Sequence, residues 1–259
     1  MDLGIAGRRA IIGGASKGLG FACADALAAA GVAVTICARG EAALQDAAAR
    51  LAERHGVTVT PVAVDVTTPE GRAKLLESCP DPDILVTNTG GPPMGDWRSF
   101  PDQAWHDAVD SVMLTPLSLI RSVVDGMAER GFGRIVNITS SVVKAPRAEL
   151  ALSSAARAGL TSALVGVGRD YAARNVTVNN LMPGPFRTAR LTDNMKVRAE
   201  RTGTPIEQIE AGAVAATPAG RFGEPAELGA FCAFLCSAHA GFFTGQSLML
   251  DGGAFPGML

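Results

Sequence analysis

Tyrosine occurs once in this chain, at Tyr171, and histidine only at His55, His106 and His239, so side chains commonly used to pass protons are scarce. Runs of lysine and arginine are missing, and 25 acidic against 23 basic residues leave a net charge of −2. Binding to nucleic acid or to an anionic membrane through charge needs a basic footprint, so neither partner is expected. No apolar run reaches the length a bilayer requires, and Met1-Asp2-Leu3-Gly4 has no apolar stretch with a basic flank, so neither a membrane span nor a leader peptide is expected. No Gly/Ser linker or internal repeat divides the sequence, and a single domain over 1–259 is expected. The five cysteines, Cys23, Cys37, Cys79, Cys232 and Cys236, form no C-x-x-C pair and are odd in number. That argues against a disulfide framework or a metal site and points to a reduced, cytoplasmic setting. Cys232 and Cys236, four apart on one face of an apolar helix, read as core.

What is abundant is glycine, with 30 residues, and its placement organises the rest. The apolar run Ala10–Ile12 predicts a buried strand, the cluster Gly13 to Gly20 a tight turn, and Phe21–Ala30 an Ala-rich helix that begins near Leu19 and ends at Gly31. Gly14, Gly18 and Gly20 carry no Cβ, which lets the turn adopt unusual dihedrals and lets a pyrophosphate approach the backbone. Ser16, Lys17 and Leu19 complete the turn, and the unpaired N–H groups of the helix start face the same anion. Further strands are predicted at 32–37, 57–64, 84–87, 134–138, 176–181 and 247–250. Helices are predicted at 41–55, 69–79, 105–130 with a break near Pro116, 153–174 and 224–238. Alternating strands and helices imply an α/β fold, a Rossmann-type doubly wound parallel sheet of about seven strands with helices on both faces.

Ligands of such sheets lie beyond the carboxyl ends of the strands. The loops there, 13–20, 38–40, 65–66, 87–91 and 183–188, are rich in Gly, Asn, Pro, Thr and Asp. The second strand ends in Cys37-Ala38-Arg39, with no carboxylate for a ribose 2′-hydroxyl, whereas Arg39 suits a 2′-phosphate. With Lys17 as a second cation, NADP(H) is favoured over NAD(H).

Together these stretches resemble the short-chain dehydrogenase/reductase family over essentially the whole chain, and within it bacterial 3-oxoacyl-carrier-protein reductases. Gly14-x-x-x-Gly18-x-Gly20 resembles the family's cofactor fingerprint, and Thr87-Asn88-Thr89-Gly90 its N-N-A-G. By that resemblance Asp65 and Val66 serve the adenine side, Asn88 and Gly90 belong to the binding loop, and Pro183, Gly184 and Thr188 flank the nicotinamide, with Thr188 on its carboxamide. Arg221-Phe222-Gly223-Glu224-Pro225 and Asp251-Gly252-Gly253 match its C-terminal signatures.

The family's usual tetrad is a helix Asn, a Ser, a Tyr and a Lys four residues after the Tyr. Here Ser140 stands in the serine's place, Ser153 in the tyrosine's, Arg157 in the lysine's and Val112 in the asparagine's. Ser153 is shorter than a phenol and a weaker acid, and Arg157 keeps its charge but does not hand on a proton. Tyr171 lies too far along its helix to replace the missing ring and reads as packing, and the three histidines fall in no catalytic slot. The proton of a carbonyl reduction is therefore open between Lys144, Glu149 and a water ordered by Ser153 beside Ser140, with Lys144 and Glu149 alternatively plain surface charges.

Residues 186–220 are expected to form a substrate lid whose Phe186, Leu191, Met195, Ile206 and Ile209 face a wall of Pro92, Pro93, Met94 and Trp97, suited to an apolar carbonyl or alcohol. Three readings remain open: an NADP(H)-dependent oxidoreductase with an altered tetrad, a nucleotide-binding subunit or sensor without turnover, and a non-redox lyase or isomerase. The helices 105–130 and 153–174 carry small apolar residues on more than one face, and a homo-oligomer, a tetramer or dimer, is expected.

Overall fold

The computed structural model describes residues 1–257. Its frame is a seven-stranded parallel sheet in the order β3-β2-β1-β4-β5-β6-β7. The strands are β1 (Arg9–Gly13), β2 (Ala33–Ala38), β3 (Val59–Ala63), β4 (Ile84–Thr87), β5 (Gly133–Ile138), β6 (Val176–Pro183) and β7 (Ser247–Leu250). Alternation along each strand sends side chains to opposite faces. Ala10 and Ile12 of β1 join the core under α1 (Gly18–Ala29), α2 (Glu41–His55) and α9 (Pro225–Leu235). Ile11, between them, joins the core under α3 (Pro69–Glu77), α5 (Thr115–Glu129) and α6 (Ala151–Tyr171). Helices α1 and α9 pack so closely that a Cβ on Gly229 would lie 2.3 Å from the Ala22 carbonyl oxygen. All five cysteines are buried, Cys23, Cys232 and Cys236 among them in the first core.

Three expectations need correction. The helix predicted at 105–130 is interrupted, but not by Pro116. After α4 (Asp102–Val109) the backbone widens into a π-helical turn at Asp110–Leu114, where the Thr115 hydroxyl donates to the Asp110 carbonyl at 2.8 Å. Pro116 sits in the first turn of α5, where a missing N–H costs nothing. Second, α6 with its flanking 3-10 turns spans Ala148–Arg174, 27 residues, and contains an 18-residue stretch apolar enough by composition to cross a membrane. Leu152, Ala156, Leu160 and Leu164 of this helix are buried within the fold. Third, the lid 186–220 is more regular than its polar sequence suggests. It forms α7 (Ala189–Thr202) and α8 (Ile206–Ala215), and Met195 and Ile209 close with Phe222 into a small core of their own. Phe186 belongs to the main core, so these side chains pack the lid together rather than lining an open wall.

Candidate active site

The glycine turn between β1 and α1 is shaped by contact as well as by conformation. Gly14 and Gly18 have φ of +58° and +61°, and a Cβ on Gly14 would meet the Asn88 carbonyl oxygen at 2.7 Å. At Gly20 a Cβ would lie 2.4 Å from the Gly14 carbonyl oxygen and 2.8 Å from Asn88 Nδ2. Asn88 thus pins the end of β4 to this turn, donating from Nδ2 to the Gly14 carbonyl at 3.4 Å. Around Gly90, by contrast, a Cβ would find open space. Helix α1 starts with Lys17 extended at its N-cap, no side-chain cap and no acidic residue in its first turn. Its first N–H groups are left for an anion.

Beside the turn, Arg39 and Lys17 are exposed, and neither forms an ion pair among the described residues. Thr67 donates to Asp65 from both its backbone and its hydroxyl, and with the nearby Arg39 charge this holds the Asp65 carboxyl below the usual range. These groups converge at the strand ends and fit a dinucleotide with a phosphate on its adenosine ribose. On the other side, a Cβ on Gly18 would be 3.7 Å from Thr188 Cγ2, so the loop after β6 closes against the glycine turn. Gly184 needs its missing side chain because a Cβ would lie 2.6 Å from that of Asp251. The Thr188 hydroxyl caps α7, accepting from Leu191 N at 3.3 Å. The Arg221–Glu224 signature is a helix start: Glu227 receives two guanidinium nitrogens of Arg221 at 2.7 and 2.8 Å and closes a capping box with Glu224.

The catalytic candidates separate into a buried pair and a clasp. Ser140 opens a short turn, Ser141–Val143, and its oxygen accepts from Val142 N at 3.3 Å. Its own hydrogen remains to be donated. Arg157 is 8% exposed and reaches under this turn. Its Nε donates to Ser153 Oγ at 3.1 Å, and its Nη1 to the carbonyls of Ile138 and Thr139 at 3.0 and 2.9 Å. Burial pushes its pKa down to about 10, and the Arg190 charge adds to the shift, which leaves it charged at neutral pH. Val112 is buried. Tyr171 is elsewhere, donating to Asp125 at 2.7 Å.

Glu149 does not stand open to the crevice. It forms ion pairs with Arg201 of the lid and with Arg147, and its carbonyl receives Gly95 N at 2.9 Å. Each carboxylate oxygen faces an arginine, so Glu149 reads as a clasp between the loop and the lid. Lys144, half-buried at the end of the Ser140 turn, has no ion-pair partner among the described residues. One crevice group escaped the sequence reading: Arg190, in the first turn of α7, crosses to the opposite wall and donates to the carbonyls of Gly91 and Pro92 at 3.2 and 2.7 Å. Its only sequence signal is a cation two residues after Thr188.

A family model described as Enoyl-(Acyl carrier protein) reductase matches residues 14–254. The chain is 31% identical over 257 residues to the 3-oxoacyl-[acyl-carrier-protein] reductase of Vibrio cholerae, covering 98% of this chain and 99% of the relative. It is 30% identical to the gluconate 5-dehydrogenase of Gluconobacter oxydans, with 96% and 95% covered. Among solved structures, L-sorbose reductase from Gluconobacter frateurii, in complex with NADPH and L-sorbose, superposes with a TM-score of 0.93 at 31% identity, with all of both chains covered.

Proposed function

The chain belongs to the short-chain dehydrogenase/reductase family of oxidoreductases, which act on CH–OH and C=O groups with NAD(P), and from that premise we propose that it is an NADP(H)-dependent reductase of a small carbonyl compound that works with Ser140, Ser153 and Arg157. The observation that supports it is the glycine turn, open at Gly14 and flanked by two unpaired cations, Lys17 and Arg39. Bound NADPH supplies the hydride. Ser140 donates its hydrogen to the substrate oxygen. Arg157 holds the oxygen of Ser153, which turns the Ser153 hydrogen outward as a second donor and places a positive charge beneath the oxygen as it becomes negative. The proton comes from solvent through a water held at Ser153, with Lys144 at the end of the same turn behind it.

The test is consumption of NADPH over a panel of ketones and aldehydes, with Ser140→Ala expected to lower turnover by roughly 10²–10³-fold. Binding of NADPH with no turnover on any member would favour the sensor reading, which the engagement of Glu149 and the absence of a phenol at 153 support. Product formed with no net loss of NADPH would favour a lyase or isomerase. A cytoplasmic homo-oligomer is part of the same reading. The groove of about 720 Å³ between α5 and α6, lined by Leu117, Val124, Leu164 and Val167, lies away from the crevice and offers a face for a second copy. A monomeric mass in solution would refute that part.

A further inference from the structure

Two guanidinium groups meet at the mouth of the crevice with no carboxylate between them. Arg157 comes from the body of the fold and Arg190 from the lid. A Cβ placed on Gly91 would lie 3.6 Å from Nη2 of the first and 3.3 Å from Nη2 of the second, so both nitrogens border one point. Nε and Nη1 of Arg157 are fully used on Ser153, Ile138 and Thr139, while its Nη2 has no hydrogen-bond partner among the described residues. Arg190 spends only Nη2, on the Gly91 and Pro92 carbonyls. Neither arginine has an acidic partner among the described residues, although nearly every other arginine near the lid has one: Arg187 with Glu210 and Glu224, Arg201 and Arg147 with Glu149, Arg221 with Glu227. A buried cation without a counter-charge is costly, and a second cation beside it makes it more so. An anion at this point would remove that cost.

Resting on the reductase reading above, we infer that Arg157 and Arg190 form a split anion site and that the substrate is an oxo acid, with a free carboxylate adjacent to the carbonyl or one carbon removed. The position fits this geometry. Arg157 grips the carbonyl of Thr139, the residue immediately before Ser140, so the anion site adjoins the hydroxyl that receives the substrate oxygen. One arginine on each side of the crevice also means that the carboxylate itself draws the lid onto the body. A site built to bind a charged group rejects analogues that lack it, because the pair is then left uncompensated. The oxygen pair could equally be presented by a phosphate of the nucleotide, and the experiment separates the two sources.

The experiment uses the full chain. Steady-state reduction of 2-oxobutyrate and 3-oxobutyrate is compared with that of their methyl esters. Calorimetry measures NADPH binding and, separately, the binding of 2-oxobutyrate to protein saturated with NADP⁺, where no turnover occurs. The expected result is a kcat/KM that favours an acid over its ester, and an Arg190→Gln variant that raises KM for the acid by roughly ten- to hundredfold with a far smaller change for the ester. Calorimetric affinity for 2-oxobutyrate should fall by the same factor, with Arg190→Lys recovering part of it. An ester reduced as well as its acid, or an Arg190→Gln change of equal size on both, overturns the inference while leaving the reductase reading intact. A loss confined to NADPH affinity overturns it in favour of the nucleotide phosphate. Failure of the unmodified protein to bind NADPH would sink the reductase reading itself, whatever the acid does.

Discussion

Replacing Arg39 with alanine tests the cofactor assignment at one side chain. Arg39 is exposed at the end of β2, has no ion-pair partner among the described residues, and lies close enough to Asp65 to help hold its carboxyl down. A 2′-phosphate there brings between one and two negative charges at neutral pH. Two unit charges in contact are worth about 1 kcal/mol with the screening of bulk water and about 4 kcal/mol at the lower effective dielectric of a protein surface. An exposed site falls toward the lower end, so the loss should be about 2 kcal/mol, or roughly 30-fold in Kd for NADPH. NADH has no phosphate to lose, and its Kd should change less than twofold. Titration calorimetry with both cofactors reads the difference directly. Repeating it at 1 M salt, where charges beyond about 3 Å are screened, should shrink the NADPH effect. Equal losses for both cofactors, or an NADPH Kd that does not move, would refute the reasoning and return Arg39 to a solvated surface residue.

Gly20→Ala forces a Cβ to within 2.4 Å of the Gly14 carbonyl oxygen; it should cost about 2 kcal/mol, roughly 5 °C in Tm by calorimetry, and weaken NADPH binding, whereas Gly90→Ala, with open space around it, should do neither. Arg134→Met removes donors to the carbonyls of Ser237, Gly133 and Asn175 from a side chain only 1% exposed, and should destabilise by about 2–4 kcal/mol in urea titration, with the crevice untouched. Glu227 has its carboxyl lowered to about 2 by Arg221. A group depressed in the folded state supports the fold above its ordinary value of about 4.5, and that support is lost as pH falls through the folded value. The Tm of the unmodified chain should therefore drop more steeply between pH 4.5 and 2 than that of Glu227→Gln.

The sheet was legible because its strands are β-branched runs set between glycine turns and Ala-rich helices, and because buried parallel strands lack the polar alternation that causes confusion. The C-terminal signatures were legible as motifs, but their physics was not: Arg221-Phe222-Gly223-Glu224-Pro225 is a helix cap closed by Glu227, and Gly184 is a glycine because Asp251 packs behind it. The π-turn at Asp110–Leu114 left no pattern that a proline two residues later did not explain more simply. Contacts formed only when the lid folds back were out of reach. Arg190 meets Gly91 across 99 residues, and Arg201 meets Glu149 across 52, and nothing local to either arginine marks its partner.

Ser153 and Arg157 make physical sense only as a pair. They stand four apart on α6, one helical turn, so their side chains meet. The planar guanidinium fork bonds Ser153 Oγ and two strand-end carbonyls at once, which a lysine ammonium, a single point of charge, does not reproduce. A phenol at 153 would occupy the space that the fork now fills. An Arg157→Lys change alone leaves at least one of those acceptors without its donor, and a Ser153→Tyr change alone displaces the guanidinium from its carbonyls. Three of the arginine's contacts are satisfied, and the one nitrogen left over borders the crevice. In the mechanism proposed above, the pair stabilises negative charge where a phenol would deliver a proton, and the proton comes from water.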